Sequence, residues 1–210
     1  MKFQANDNVS FIGLLAGLLA VAVAAYFMYA VRITPVVLIA SAFFFCICLT
    51  DMLFAKIPNL FNLSLLLAGL GYNLYAAGGR GLLWSLLGTL VGLALFILPY
   101  ALGGMGAGDV KALAALGALA GPAGIFQIFL YTALFGGFLA ILHYCFTHDF
   151  RQKLAAAFNS LRAFIYTRDF DAFRPDPQRE RQRFPYAAAI ALGFFAFVHW
   201  GPIVSLLPHS

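Results

Sequence analysis

Charge is what this 210-residue chain has least of: 10% of its residues are Asp, Glu, Lys or Arg, against 63% hydrophobic. A soluble domain carries about 25% charged residues. There is too little polar surface to solvate a globule of this size, so a soluble enzyme, a secreted module and a disordered tail are excluded as descriptions of the whole chain. Cysteine is scarce too. Cys46, Cys48 and Cys145 all sit in apolar runs, and there is no Cys-x-x-Cys. Three thiols cannot pair completely, so they are expected to be buried free thiols acting as small hydrophobes. His143, His148, His199 and His209 do not cluster in sequence. No metal or organic cofactor is implied by these residues.

What is abundant is long apolar runs. A membrane-crossing helix needs about 20 mostly apolar residues. Phe11–Ala30 is one such run, Ile33–Thr50 a second and Ile57–Gly79 a third. Gly81–Gly108 holds a fourth, expected to end near Gly103. The charge-free stretch from Ala112 to Thr147 is too long for one crossing, and Gly121-Pro122-Ala123-Gly124 is a turn signal that divides it. This leaves a short helix over Asp109–Ala120 and a full one over Ile125–Thr147. Pro185–Leu207 is the last. The expected fold is all-α, a single polytopic bundle of about seven helices over residues 1–210, with six to eight possible. Residues 1–40 form an additional amino-terminal helix region. A cleaved signal peptide is the rival for residues 1–30, but its apolar stretch of about 20 exceeds the usual 7–15.

The net charge of +5 does not point to nucleic acid, because the cations are not spread over a face. Eight of the thirteen Lys and Arg fall between Arg151 and Arg183, in a basic loop spanning residues 148–184. With that loop cytoplasmic, Lys2, Lys56 and Lys111 fall on the same side and only Arg32 and Arg80 on the other. This bias places the amino terminus inside and the carboxyl terminus outside. Leu154, Phe158, Leu161 and Ile165 recur at helical spacing among Arg151, Lys153 and Arg162. Two readings of the loop stay open, an amphipathic helix on anionic lipid and a solvated positive-inside loop. Trp84, Trp200, His199 and the nine tyrosines read as interface anchors and packing.

Between Asp7 and Asp149 the chain holds only two acids, Asp51 and Asp109. Carboxylates near a bilayer interior are expensive and usually mark function. Asp51 ends a helix running outside to inside, and Asp109 begins one running inside to outside. Both are expected at the cytoplasmic end of the bundle. Two carboxyls at close range share a proton, so one can take a proton from water while the other gives one to a carbonyl oxygen. The plainer alternative is that each caps a helix or pairs with Lys56 or Lys111. Asp109 ends the run Gly103-Gly104-Met105-Gly106-Ala107-Gly108, whose backbone is expected to allow close approach of another chain and positive φ. No Gly-Lys-Ser/Thr follows, which removes a phosphate loop. After Asp51 comes Lys56-Ile57-Pro58-Asn59, with Pro58 suited to a helix start.

These segments resemble the prepilin peptidases, a family of Gly-x-Gly-Asp intramembrane aspartyl proteases. Three segments carry the resemblance: Asp51 with Lys56-Ile57-Pro58-Asn59; Gly106-Ala107-Gly108-Asp109-Val110-Lys111; and Pro185-Tyr186-Ala187-Ala188-Ala189-Ile190-Ala191. The resemblance implies that Asp51 and Asp109 are the catalytic pair. It implies that Gly106 and Gly108 shape the loop before Asp109, that Lys56 and Lys111 stay at the membrane surface, and that Pro185 and Tyr186 begin a helix near the site. Its implied substrates are prepilins and pseudopilins, with a basic, Gly-ending leader before an apolar helix. Its implied setting is the bacterial inner membrane, beside a pilus-assembly machine. Ala188 stands where the family usually has Pro. The cysteine-rich, zinc-binding insertion of the large bifunctional members has no counterpart. The chain therefore resembles the short members of the tight-adherence (Flp) pilus systems, and no methyltransferase activity is expected.

Three rivals remain at this stage. One is a carrier whose two Asp residues bind a cation, although no internal repeat is seen. Another is a non-catalytic membrane protein of a pilus machine. The third, within the protease class, is an archaeal preflagellin peptidase or a presenilin-like enzyme. The sequence carries no signal for oligomeric state.

Overall fold

The computed structural model describes residues 11–30, 34–54, 57–101, 105–146 and 186–203. They form five helices: α1 (Phe11–Ala30), α2 (Pro35–Phe54), α3 (Asn59–Ala101), α4 (Ala107–Phe146) and α5 (Tyr186–Trp200). No strand occurs among the described residues. The residues 1–10, Arg32, Lys56, Gly103, Gly104, the loop over 148–184 and Pro185 lie outside them.

Local chemistry sets the helix starts. Thr34 caps α2: its side-chain oxygen accepts from the Val37 N–H at 3.4 Å, and its carbonyl accepts from Leu38 at 3.1 Å. Pro35 then occupies the first helical position, where a missing N–H costs nothing. Pro58 immediately precedes α3, and its carbonyl accepts from the Phe61 N–H at 3.1 Å.

The two long helices are interrupted by non-helical glycines, Gly78 (φ 59°) in α3 and Gly121 (φ 73°) in α4. Positive φ is inexpensive only for glycine. Both helices fold back on themselves there. In a straight helix Asn73 and Ser85 would lie about 18 Å apart, yet the Asn73 amide donates to the Ser85 hydroxyl at 2.9 Å. In α4, residues 113 and 129 would be about 24 Å apart if straight. Instead Gly92 abuts Leu113 while Phe96, one turn on, meets Phe129 at 5.7 Å between ring centroids. Each is therefore a helical hairpin, with arms 59–77 and 79–101 in α3, and 107–120 and 122–146 in α4. The sequence expectation of breaks near Gly79 and at Gly121 holds. One boundary moves: the short helix begins at Ala107 rather than Asp109.

The break at Gly121 has a backbone consequence that side chains resolve. Pro122 has no N–H, so the carbonyl of Ala118 loses its helical donor four residues on. Ser85 donates to that oxygen at 2.6 Å and Asn73 at 2.9 Å, and Asn73 also reaches the Leu119 carbonyl at 3.3 Å. Ser85 and Ala118 are fully buried, so the partner of this carbonyl has to come from the protein itself. Asn73→Leu is expected to destabilise the bundle by about 2 kcal/mol, read as a lower midpoint of unfolding in mixed micelles. An unchanged midpoint would show that Ser85 alone satisfies the Ala118 carbonyl.

Two helical segments are enclosed by protein. Residues 112–119 of α4 are all buried, with both arms of α3 packed against them. Residues 187–196 of α5 are likewise buried. α5 runs antiparallel to the second arm of α4: the Ile203 N–H meets Gln127 at 3.1 Å, the Gly201 carbonyl accepts from Tyr131 at 3.0 Å, Gly193 touches Thr132, and Ala189 faces Gly136. α1 buries Ala16, Ala20, Ala24 and Phe27 at helical spacing against α2 and α5. Phe27, Phe44, Phe194 and Phe195 form one aromatic cluster, with centroids 4.7–5.8 Å apart. The additional amino-terminal helix is thus part of the core. Cys48 is a buried free thiol and Cys46 a half-buried one.

The outside of the bundle is as apolar as the inside. Leu60, Leu67, Leu83, Leu90, Leu134 and Phe138 are all exposed. In water this surface would be an aggregation liability. α3 and α4 are long and apolar enough to cross a membrane, and lipid is the solvent that suits such a surface.

Candidate active site

Asp109 lies in the first turn of α4 and is half-buried. Its Oδ2 accepts a hydrogen bond from the Gly106 N–H at 3.1 Å, while its own N–H donates to the Gly106 carbonyl at 3.2 Å. Gly106 is the cap residue of α4, and Asp109, three positions on, returns its side chain to the cap amide. This is the acidic half of a capping box. The carboxylate also sits where the helix presents partial positive charge. The capping role weighed from sequence is therefore real, and it fixes the carboxylate at a defined place at the end of the bundle.

The start of α3 holds this loop from the other side. Ile57 packs on Gly108, where a Cβ would lie 3.4 Å from the Ile57 Cβ. Asn62, one turn into α3, donates to the Gly108 carbonyl at 3.2 Å. Asn59 accepts from the Lys111 ammonium at 3.1 Å, and both residues are exposed. The residues of Ile57-Pro58-Asn59 and Gly106-Ala107-Gly108-Asp109-Val110-Lys111 are thus brought together. Pro58 is exposed at the start of α3.

Asp51 lies in the last turn of α2, half-buried. Ile57, which packs on Gly108, is only six positions further along the chain. The end of α2 and the start of α4 therefore share one end of the bundle. Tyr186, the first residue of α5 and half-buried, is at this end too, because Ala189 lies level with Gly136 in the antiparallel arm. Residues 112–119, about two buried turns just after Asp109, are gripped by α3, whereas α2 packs chiefly on α1 and touches α3 and α4 much less. The two acids thus belong to differently anchored parts of the bundle.

Some expectations need correction or placement. Gly106 and Gly108 do not use positive φ; among the described residues only Gly78, Gly121 and Gly201 do. What glycine supplies here is room, for the Asp109 carboxylate at Gly106 and for Ile57 at Gly108. Ala188 lies in the first described turn of α5 and is buried. Lys56 and Pro185 lie outside the described residues. Asn62, Asn73 and Ser85 were not singled out from sequence. Their signal was polarity inside apolar runs, with Asn62 three residues after Asn59, on the same helix face. His199 and Trp200 stack edge to face at 5.7 Å and are exposed at the opposite end of α5. Among the described residues no cluster of His, Cys, Asp or Glu could hold a metal ion.

An apolar helical bundle with two acids and a glycine-capped loop at one end is compatible with a membrane protein. The family model described as the type IV leader peptidase family matches residues 38–141, and the chain belongs to that family. The match covers about half of the chain and includes Asp51, Asn59, Asn62 and the Gly106–Asp109 loop. α1 and α5 lie outside it. No curated protein and no solved structure matches the chain.

Proposed function

We propose that this chain is an aspartic endopeptidase that removes the leader from type IV prepilins or pseudopilins, of the Flp kind, at the cytoplasmic face of a bacterial inner membrane. Its topology in this reading is seven crossings, amino terminus inside. Asp51 and Asp109 activate one water. The ionised member takes a proton from it as the oxygen attacks the scissile carbonyl, and the protonated member gives its proton to the carbonyl oxygen. The tetrahedral centre collapses as the leaving nitrogen gains a proton. Gly106, Gly108, Pro58, Asn59, Lys56, Lys111, Pro185 and Tyr186 shape the approach. The observation that supports the reading is the packing of the Ile57-Pro58-Asn59 segment, whose Ile57 lies six positions after Asp51, on the capped start of α4 at Gly108.

The test is cleavage of a precursor with a basic, Gly-ending leader by the purified chain in proteoliposomes. A single cut after that Gly is expected. A cation flux dependent on Asp51, with no cut, would replace the protease by a carrier. The loop makes a second expectation. A Cβ at Gly106 would press on Asp109 Oδ2 at 3.2 Å, whereas one at Gly108 would meet Ile57 at ordinary contact distance. Gly106→Ala is expected to lower kcat/KM roughly 10-fold, by displacing the carboxylate a few tenths of an ångström. Gly108→Ala should stay within about 2-fold. Equal effects would remove the room argument.

A further inference from the structure

We infer that Asn62 is a positioning residue for Asp109, acting through the Gly108–Asp109 peptide unit; this rests on the peptidase reading above. Both ends of that peptide unit are held. Its carbonyl accepts from the Asn62 amide at 3.2 Å, and its N–H donates to the Gly106 carbonyl at 3.2 Å. The Asp109 side chain leaves from the next atom along, and its Oδ2 returns to the Gly106 N–H. Asn62 reaches in from another helix, so it couples the start of α3 to the backbone that carries the carboxylate.

Asn62 is not needed to satisfy Gly108. Within a helix the carbonyl of residue 108 already has the N–H four residues on as its donor. Nor is Asn62 fully satisfied itself. It is 5% exposed, and its Oδ1 has no hydrogen-bond partner among the described residues. A buried amide with one orphaned atom opposes stability, and an apolar side chain of similar size would remove that cost. The polar group therefore sits at a place where packing alone favours leucine. Its one bond shown is to the backbone beside Asp109, which is the contribution that offsets the orphan.

The proposal separates function from stability in a way that a packing role does not. Wild type, Asn62→Leu and Asn62→Asp are compared in nanodiscs. Leu fills the space without a donor, and Asp keeps the outline but, when ionised, cannot donate. Both are expected to lower kcat on a pilin precursor at least 10-fold with KM within about 2-fold. Both should speed amide hydrogen exchange in residues 106–109 while the rest of α4 stays protected. The thermal midpoint of Asn62→Leu should be unchanged or higher. A lowered midpoint with exchange raised throughout α3 and α4 would make Asn62 a structural residue and overturn the inference. Unchanged exchange at 106–109 would overturn it too, as would full activity in either variant. If wild type fails to cut the precursor, the peptidase reading falls, and the local exchange arm still decides whether Asn62 holds the loop.

Discussion

Asp109→Asn and Asp51→Asn are each expected to abolish processing of a co-expressed pilin precursor, a loss of roughly 10³-fold or more, with the protein still present in the membrane. Asp109 is where a chemical loss separates best from a structural one. Asparagine keeps an oxygen that can accept from the Gly106 N–H, so the cap on α4 survives the substitution. Residues 112–119 remain enclosed by α3. What the amide cannot do is gain or lose a proton near neutral pH, and proton transfer is the step asked of this residue. Asp109→Glu tests geometry instead of protonation. Its additional methylene shifts the carboxylate by about 1 Å, for which roughly 10²-fold is expected. The readout is the ratio of precursor to mature pilin, with the membrane level of the protein measured in the same sample. If either Asn variant still processes the precursor, the two-acid mechanism is wrong, and a non-catalytic assembly role takes its place.

The positions of these two acids were legible because charge is so rare in the chain. Alternation of helix direction is enough to expect Asp51 and Asp109 at one end of the bundle, without any knowledge of packing. The divisions at Gly78 and Gly121 were legible for a related reason, since glycine and proline punctuate otherwise uniform apolar runs. Uniformity is also what concealed the rest. When nearly every residue is apolar, periodicity cannot separate a lipid-facing side from a buried one. That residues 112–119 are buried all round was therefore invisible in the sequence. This burial also suits a segment too short to span a bilayer, because both arms of α3 pack against it and its backbone is covered by protein. The α4 carbonyls that Asn62, Asn73 and Ser85 reach were hidden because they lie on another helix, 33 to 46 residues away.

The largest effect on stability is expected at the crossing of Gly88 and Gly117. Each faces the other's backbone. A Cβ on Gly117 would lie 2.6 Å from the Gly88 carbonyl carbon, and one on Gly88 would lie 2.8 Å from the Gly121 Cα and press on the Gly117 carbonyl oxygen. No flexible side chain stands there to move aside, so the second arm of α3 and the first arm of α4 must separate. Without a hydrophobic drive between helices in lipid, close backbone packing is a main source of association, and separation forfeits it along the whole contact. Gly88→Ala is expected to cost about 3 kcal/mol, and Gly88→Val more, because its branched side chain adds bulk at the same point. The control is Gly71→Ala. Gly71 is exposed in the first arm of α3, with nothing within 4 Å of its would-be Cβ. There the helix propensity of alanine should stabilise by about 0.5–1 kcal/mol. Unfolding midpoints of the two variants in mixed micelles should therefore move in opposite directions. Because the arm disturbed by Gly88→Ala is the one that carries Asp109, peptidase activity should fall with the midpoint in that variant and stay at the wild-type level in Gly71→Ala. Equal shifts would mean that the arms do not meet through these two glycines.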